Sequence, residues 1–209
     1  MNMVSGKFYE AFQNRCLSLF IDGYRKMKAE KLYKLDWDEN QFSDSLCVYI
    51  TEQKTTNLQK INIRREHHLT NPNVKDGTAK ADEANEIDFW MNNWNYPNPV
   101  EFHAEAKNLA EDDWTKQCGA KVWACNLRAR YIDTGIDKIT SSKYPSNSFL
   151  IGYILQGNIN NIKQKINALL EKRRRARETL LISDPVNSYD NIFYSNHNRL
   201  KIIHLFLKF

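Results

Sequence analysis

Apolar residues recur at helical spacing from Lys7 to about Tyr33, where Phe8, Phe12, Cys16, Leu19, Phe20 and Tyr24 fall on one stripe and predict a long amphipathic helix. A second helix is predicted from Asn40 to about Glu52, buried through Phe42, Leu46, Val48, Tyr49 and Ile50. The pattern then changes period. "KINIRREHHL" alternates Ile61 and Ile63 with polar neighbours and reads as a strand, and "TNPNVKDGTAKADEAN" reads as a long surface loop. "EIDFWM" and "VEFHAEAKNL" are the next two strands, a hairpin through the turn-rich "NNWNYPNP". Helical spacing returns from Asp113 to about Tyr131, with Asp112 or Asp113 as N-cap and Trp114, Val122, Trp123 and Leu127 as apolar positions. "YIDTGIDKITSSKY" reads as a structural connection turned at Gly135. "SFLIGYILQGN" is a near-continuous apolar run, as expected of a strand covered on both faces. A helix over 159–180 and a final strand in "RLKIIHLFLKF" complete the chain.

This order predicts an α/β fold, a mixed central β-sheet flanked by helices. The 209 residues suffice for one domain, with a core at about 40–157, an N-terminal helical extension and a C-terminal helix plus strand. Hydrophobic residues at 42% exclude a disordered chain, and the net charge of +5 permits a nucleic-acid partner without requiring one. The longest apolar run, "FLIGYIL", is too short to span a bilayer, and the first residues lack the apolar stretch of a secretory signal. A cytoplasmic protein without a membrane partner is expected. Cys16, Cys47, Cys118 and Cys125 show neither CxxC pairing nor zinc-ligand spacing, so reduced structural thiols are expected.

Charges inside the strands change the picture. A charge in a sheet interior is costly unless it is paired, hydrogen-bonded or bound to metal. Side chains alternate along a strand, so Glu101, His103, Glu105 and Lys107 share one face while Phe102, Ala104 and Ala106 share the other. Asp88, on the preceding strand, faces them across the hairpin. Two converging carboxylates repel each other, and Mg2+ relieves that repulsion with oxygen ligands while activating a water. An adjacent lysine stabilises charge developing on a phosphate. The set suits phosphodiester hydrolysis.

These residues resemble the signature of the PD-(D/E)XK nuclease superfamily: an acid ending one strand, here Asp88, and then Glu105-Ala106-Lys107 on the next. Ile87 stands where many members carry proline. A second E-x-K, Glu52-Gln53-Lys54, falls at a predicted helix end, where residues two apart do not share a face. The resemblance implies a restriction-endonuclease-like core and Mg-dependent cleavage, with Mn2+ as a substitute ion, DNA as the expected polymer and a 5′-phosphate product. It also implies that Asp88, Glu105 and the Ala106 carbonyl hold the metal while Lys107 positions the water and stabilises the transition state. A role in phage defence or restriction, a homodimer and a protein partner that supplies targeting are all compatible with it. The alternative is a noncatalytic nucleic-acid-binding or scaffold subunit that keeps the nuclease fold.

Accessory roles fall on four more residues. Some members add an acid from the first core helix or first strand, and of Glu39, Glu52 and Glu66 the strand residue Glu66 is preferred, with an exposed pair to Arg64 or Arg65 as its bland reading. His103 shares the face of Glu105 as a substrate contact or support. Gln117 resembles the start of the Q-x-x-x-Y element of the RecB-like exonuclease branch, although Lys121 replaces its tyrosine, and Lys121, one helical turn on, is a phosphate-contact candidate. In "EKRRRAR", Lys172, Arg174 and Arg175 are candidates for tracking nucleic-acid phosphates, against the commoner solvated helix face.

Overall fold

The structure, a computed structural model, describes residues 3–53, 60–68, 86–93, 100–141, 144–145, 148–198 and 200–209. The predicted connection at 53–60, the surface loop before Glu86 and the turn "NNWNYPNP" lie largely outside the described residues. Two N-terminal helices, α1 (Met3–Glu30) and α2 (Glu39–Thr51), precede three strands, β1 (Ile61–His68), β2 (Glu86–Asn93) and β3 (Glu101–Ala110). A two-stranded ribbon of β4 (Trp114–Thr115) and β5 (Lys121–Val122) leads into α3 (Ala124–Arg130). A π-helical turn (Tyr131–Ile136) and α4 (Asp137–Thr140) continue that helix, and then come β6 (Ser148–Gln156), α5 (Ile159–Lys172), β7 (Leu181–Ile182), β8 (Ile192–His197) and β9 (Leu200–Lys208).

The strands form a seven-stranded mixed sheet in the order β1-β2-β3-β6-β9-β8-β7. β1, β2 and β3 are an antiparallel meander, while β6 lies parallel to both β3 and β9. The central strands are therefore covered on both faces. Alternation sorts their side chains: Phe149, Ile151 and Tyr153 of β6 pack under α1 and α2 with Phe20, Phe42 and Leu46. Leu150 and Ile154 turn the other way, toward Tyr131, Ile132, Ile162 and Ile166. Helix α2 starts where Asp38 and Gln41 cap each other, Asp38 accepting from the Gln41 amide and Gln41 from the Asp38 amide.

Three predicted elements are corrected. The segment 113–131 is not one helix, because Gly119 takes a left-handed conformation (φ 84°) in the turn of the β4–β5 ribbon. The N-cap of the shorter helix is Trp123, not Asp112 or Asp113, although the Asp113 side chain accepts the Ala124 N–H from outside the helix. The helix predicted over 159–180 ends at Lys172, and Ala176–Glu178 is a separate 3-10 turn. The connection 131–144 is helical for most of its length. Gly135 turns nothing there; it lets the π-helical turn lie against Leu150, whose side chain would stand 3.0 Å from an added Cβ. Strands β7 and β8 have no counterpart in the sequence reading.

Gly157, after β6, also has a backbone reason for its identity. Its φ is +95°, and an added Cβ would lie 2.2 Å from Glu111 Cβ. Gly157→Ala is expected to destabilise the fold by about 2 kcal/mol or more, combining left-handed strain with overpacking against Glu111. Urea unfolding checks this, and an unchanged midpoint counts against the close approach.

Candidate active site

The sheet opens where β2 leaves β3. Their paired register runs from Asn92↔Glu101 to Phe89↔Ala104 and stops there. One residue beyond, Asp88 Oδ2 accepts the Ala106 N–H of β3 at 2.7 Å. The carboxylate takes a backbone donor at the point of divergence, which satisfies the strand while leaving Asp88 partly exposed. Arg65 on β1 holds the other side of this residue by donating to the Asp88 carbonyl at 2.6 Å.

Glu105 and Lys107 share a strand face, as alternation requires, and Lys107 Nζ donates to Glu105 Oε1 at 2.7 Å and to the Ala106 carbonyl at 2.9 Å. Lys138 of α4 reaches Glu105 from the opposite side, with Nζ 2.9 Å from each carboxylate oxygen. The Tyr144 hydroxyl donates to the Glu86 carbonyl and stands 3.3 Å from Glu105 Oε2. The Glu105 side chain is only 3% exposed, and burial pushes its carboxyl above the usual carboxylate range. The Lys107 ammonium opposes that rise, Asp88 adds to it and Lys138 opposes it again.

The oxygen set fits a hard divalent cation. Asp88, Glu105 and the Ala106 carbonyl are oxygen donors gathered at one strand position, and the Lys107 ammonium already sits as a cation on two of the three. A buried carboxylate whose pKa is raised by burial and by a second acid gains from added positive charge.

A third acid joins from the helix. Glu39, the first residue of α2, lies 3.9 Å from Lys107 Nζ through Oε2, which also accepts from Arg130 at 3.1 Å, while its Oε1 accepts the Asn108 N–H at 3.1 Å. The preference for Glu66 is corrected. The Glu66 side chain is half exposed and lies 3.5 Å from Arg65, whereas Glu39 is the acid beside Lys107.

The other candidates are spread over several elements. Gln117 and Lys121 are not one helical turn apart, because they belong to the β4–β5 ribbon: the Gln117 amide donates to Asp36, and Lys121 Nζ stands 3.9 Å over the Trp123 ring. His103 is buried on β3 between Trp90 of β2 and Ser148 of β6, two residues before Glu105. In the basic run only Lys172 is helical. Arg175 is paired with Asp137 and Glu178, both at 2.6 Å, so it holds the fold together instead of offering itself to phosphates, while Lys172 and Arg174 are exposed.

Lys138 and Tyr144, both on Glu105, were missed by sequence reasoning because they lie in the stretch read as a connection. No transmembrane-length apolar helix occurs among the described residues, and their four cysteines are free thiols. No family model, curated protein or solved structure matches the chain.

Proposed function

We propose that this chain is a Mg-dependent nuclease of the PD-(D/E)XK type that hydrolyses nucleic-acid phosphodiester bonds, with DNA as the expected polymer and a restriction-endonuclease-like core from α2 through β6. The observation that carries the reading is the meeting of Asp88, Glu105 and Lys107 where β2 splits from β3. When bound, Mg2+ supplies Lewis-acid activation of the attacking water and neutralises phosphate charge. Asp88, Glu105 and the Ala106 carbonyl would hold the ion. Lys107 orients the water and donates to the phosphoryl oxygen on which charge accumulates. Lys138 fixes the direction of the buried Glu105 carboxylate and opposes the rise in its pKa, with the Tyr144 hydroxyl packed beside it.

The purified protein is expected to cut circular or linear DNA with Mg2+ or Mn2+ and to stop when chelator is added. Binding without cutting under every metal condition would favour the noncatalytic scaffold instead.

A further inference from the structure

Beside the triad, on the far side of Glu39, lies a cavity of about 350 Å³. Its walls combine the Trp114 indole and Leu127 with two cations, Lys116 and Arg130, two acids, Asp38 and Glu39, and the amide of Asn108. Trp114 is half-buried and carried on the short β4–β5 ribbon. Lys116 donates to the Asp36 carbonyl, a neutral acceptor that leaves the ammonium charge in place, while Arg130, more than half exposed at the rim, is paired with Glu39 at 3.1 Å.

Asn108 gives the cavity a chemical preference. The residue is 8% exposed, its Nδ2 reaches the Trp37 carbonyl only at 3.5 Å, and its Oδ1 is buried with no hydrogen-bond partner among the described residues. Exchanging O and N would set two carbonyl oxygens against each other, so the acceptor is the end left over. A buried acceptor without a donor costs free energy that a small turn of this loosely held amide toward a ligand N–H would recover.

We infer that this cavity is a single-nucleotide subsite for an unpaired base of the nucleic acid, next to the bond being cut. The inference rests on the nuclease reading for the identity of its ligand. The indole and apolar wall suit a base face, Asn108 suits an N–H on the base edge, and Lys116, whose acceptor is neutral, suits the adjoining phosphate. Every nucleobase carries an N–H donor on its pairing edge, and that edge is free only when the strand is single or the nucleotide is turned out of the helix. The volume admits one nucleoside and no duplex. Glu39 links the subsite to Lys107, so a base held there sets which phosphate of the strand reaches the triad.

The test is binding in chelator, read by fluorescence anisotropy on a short single strand, a base-free deoxyribose-phosphate strand of equal length and a blunt duplex of the same sequence. The intact strand is expected to bind about tenfold more tightly than the base-free one. Asn108→Ala should shrink that ratio about fivefold, and Trp114→Leu should shrink it further, with base-free binding unchanged. Equal affinities for intact and base-free strands in the wild-type protein would overturn the subsite, as would tighter binding of the duplex. The wild-type comparison decides even where a variant fails to fold. Base-dependent binding without cutting in Mg2+ would keep the subsite and remove only the catalytic reading.

Discussion

Lys107→Ala is expected to lower Mg-dependent cleavage by about 10²-fold or more, because it removes the donor that meets charge accumulating on the phosphoryl group. The fold should survive this change. Glu105 keeps both contacts to Lys138 at 2.9 Å, so the buried carboxylate is not left alone. Its carboxyl should titrate still higher, since the Lys107 ammonium is the strongest of the influences that hold it down. For the acids, Asp88→Asn and Glu105→Gln are better variants than alanine. Asp88 Oδ2 satisfies the Ala106 N–H, and alanine would leave that backbone donor orphaned at a cost of about 1–3 kcal/mol. Asparagine can keep the bond while removing the charge that a metal needs. Each is expected to abolish metal-dependent cutting with the circular-dichroism spectrum intact. Undiminished cleavage by Lys107→Ala, with loss in Lys138→Ala, would transfer the catalytic role to Lys138 and defeat the E-x-K assignment.

The placement of these residues was legible because strand periodicity is rigid: once "VEFHAEAKNL" is read as a strand, Glu105 and Lys107 must share a face, and a hairpin with the preceding strand brings Asp88, near that strand's start, toward them. Their partners were not legible for two different reasons. Glu39, Glu52 and Glu66 are equivalent as isolated residues, and only the tertiary placement of the α2 N-terminus beside Lys107 selects Glu39. Lys138 and Tyr144 sit 33 and 39 residues beyond Glu105, in a segment whose glycine and serines look like a connection. The π-helical turn at Tyr131–Ile136 keeps that segment helical, and packing on Leu150 supplies what local propensity lacks. The opposite error occurred at 113–123. Trp114, Val122 and Trp123 mimic helical spacing, but Trp123 is 47% exposed, and the strands in this stretch are two residues each, too short for any periodicity to mark.

Acid should unfold this protein steeply, and the cause lies away from the proposed active site. Tyr131 OH meets His204 Nδ1 at 2.7 Å, His204 Nε2 meets Ser195 Oγ at 2.7 Å, Ser195 Oγ meets His197 Nε2 at 2.7 Å, and His197 Nδ1 lies 2.8 Å from Glu178. The inner part of this chain is shut off from solvent, with Ser195 and His204 fully buried. Burial holds the His204 imidazole neutral and lowers its pKa to about 3, with His197 adding to the effect. The folded state therefore binds fewer protons than the unfolded chain between the ordinary histidine value, roughly 6.5, and about 3. Stability from this group is complete above the upper value and is lost as pH falls, at about 1.4 kcal/mol per pH unit. Two units of acidification below the upper value should thus remove about 2.7 kcal/mol, a large share of a typical domain's stability. His197 is shifted the same way, chiefly by burial, and Glu178 is lowered by its Arg175 and His197 contacts against the opposing effect of burial, so both add to the acid loss. His204→Phe should trade one liability for another. At neutral pH it is destabilised, because Tyr131 and Ser195 lose a buried partner, but its stability should fall with acid by one proton fewer. Urea unfolding followed by tryptophan fluorescence from neutral pH to about two units below the histidine value compares the slopes directly. A His204→Phe slope as steep as that of the wild-type protein would show that His204 does not carry the acid loss.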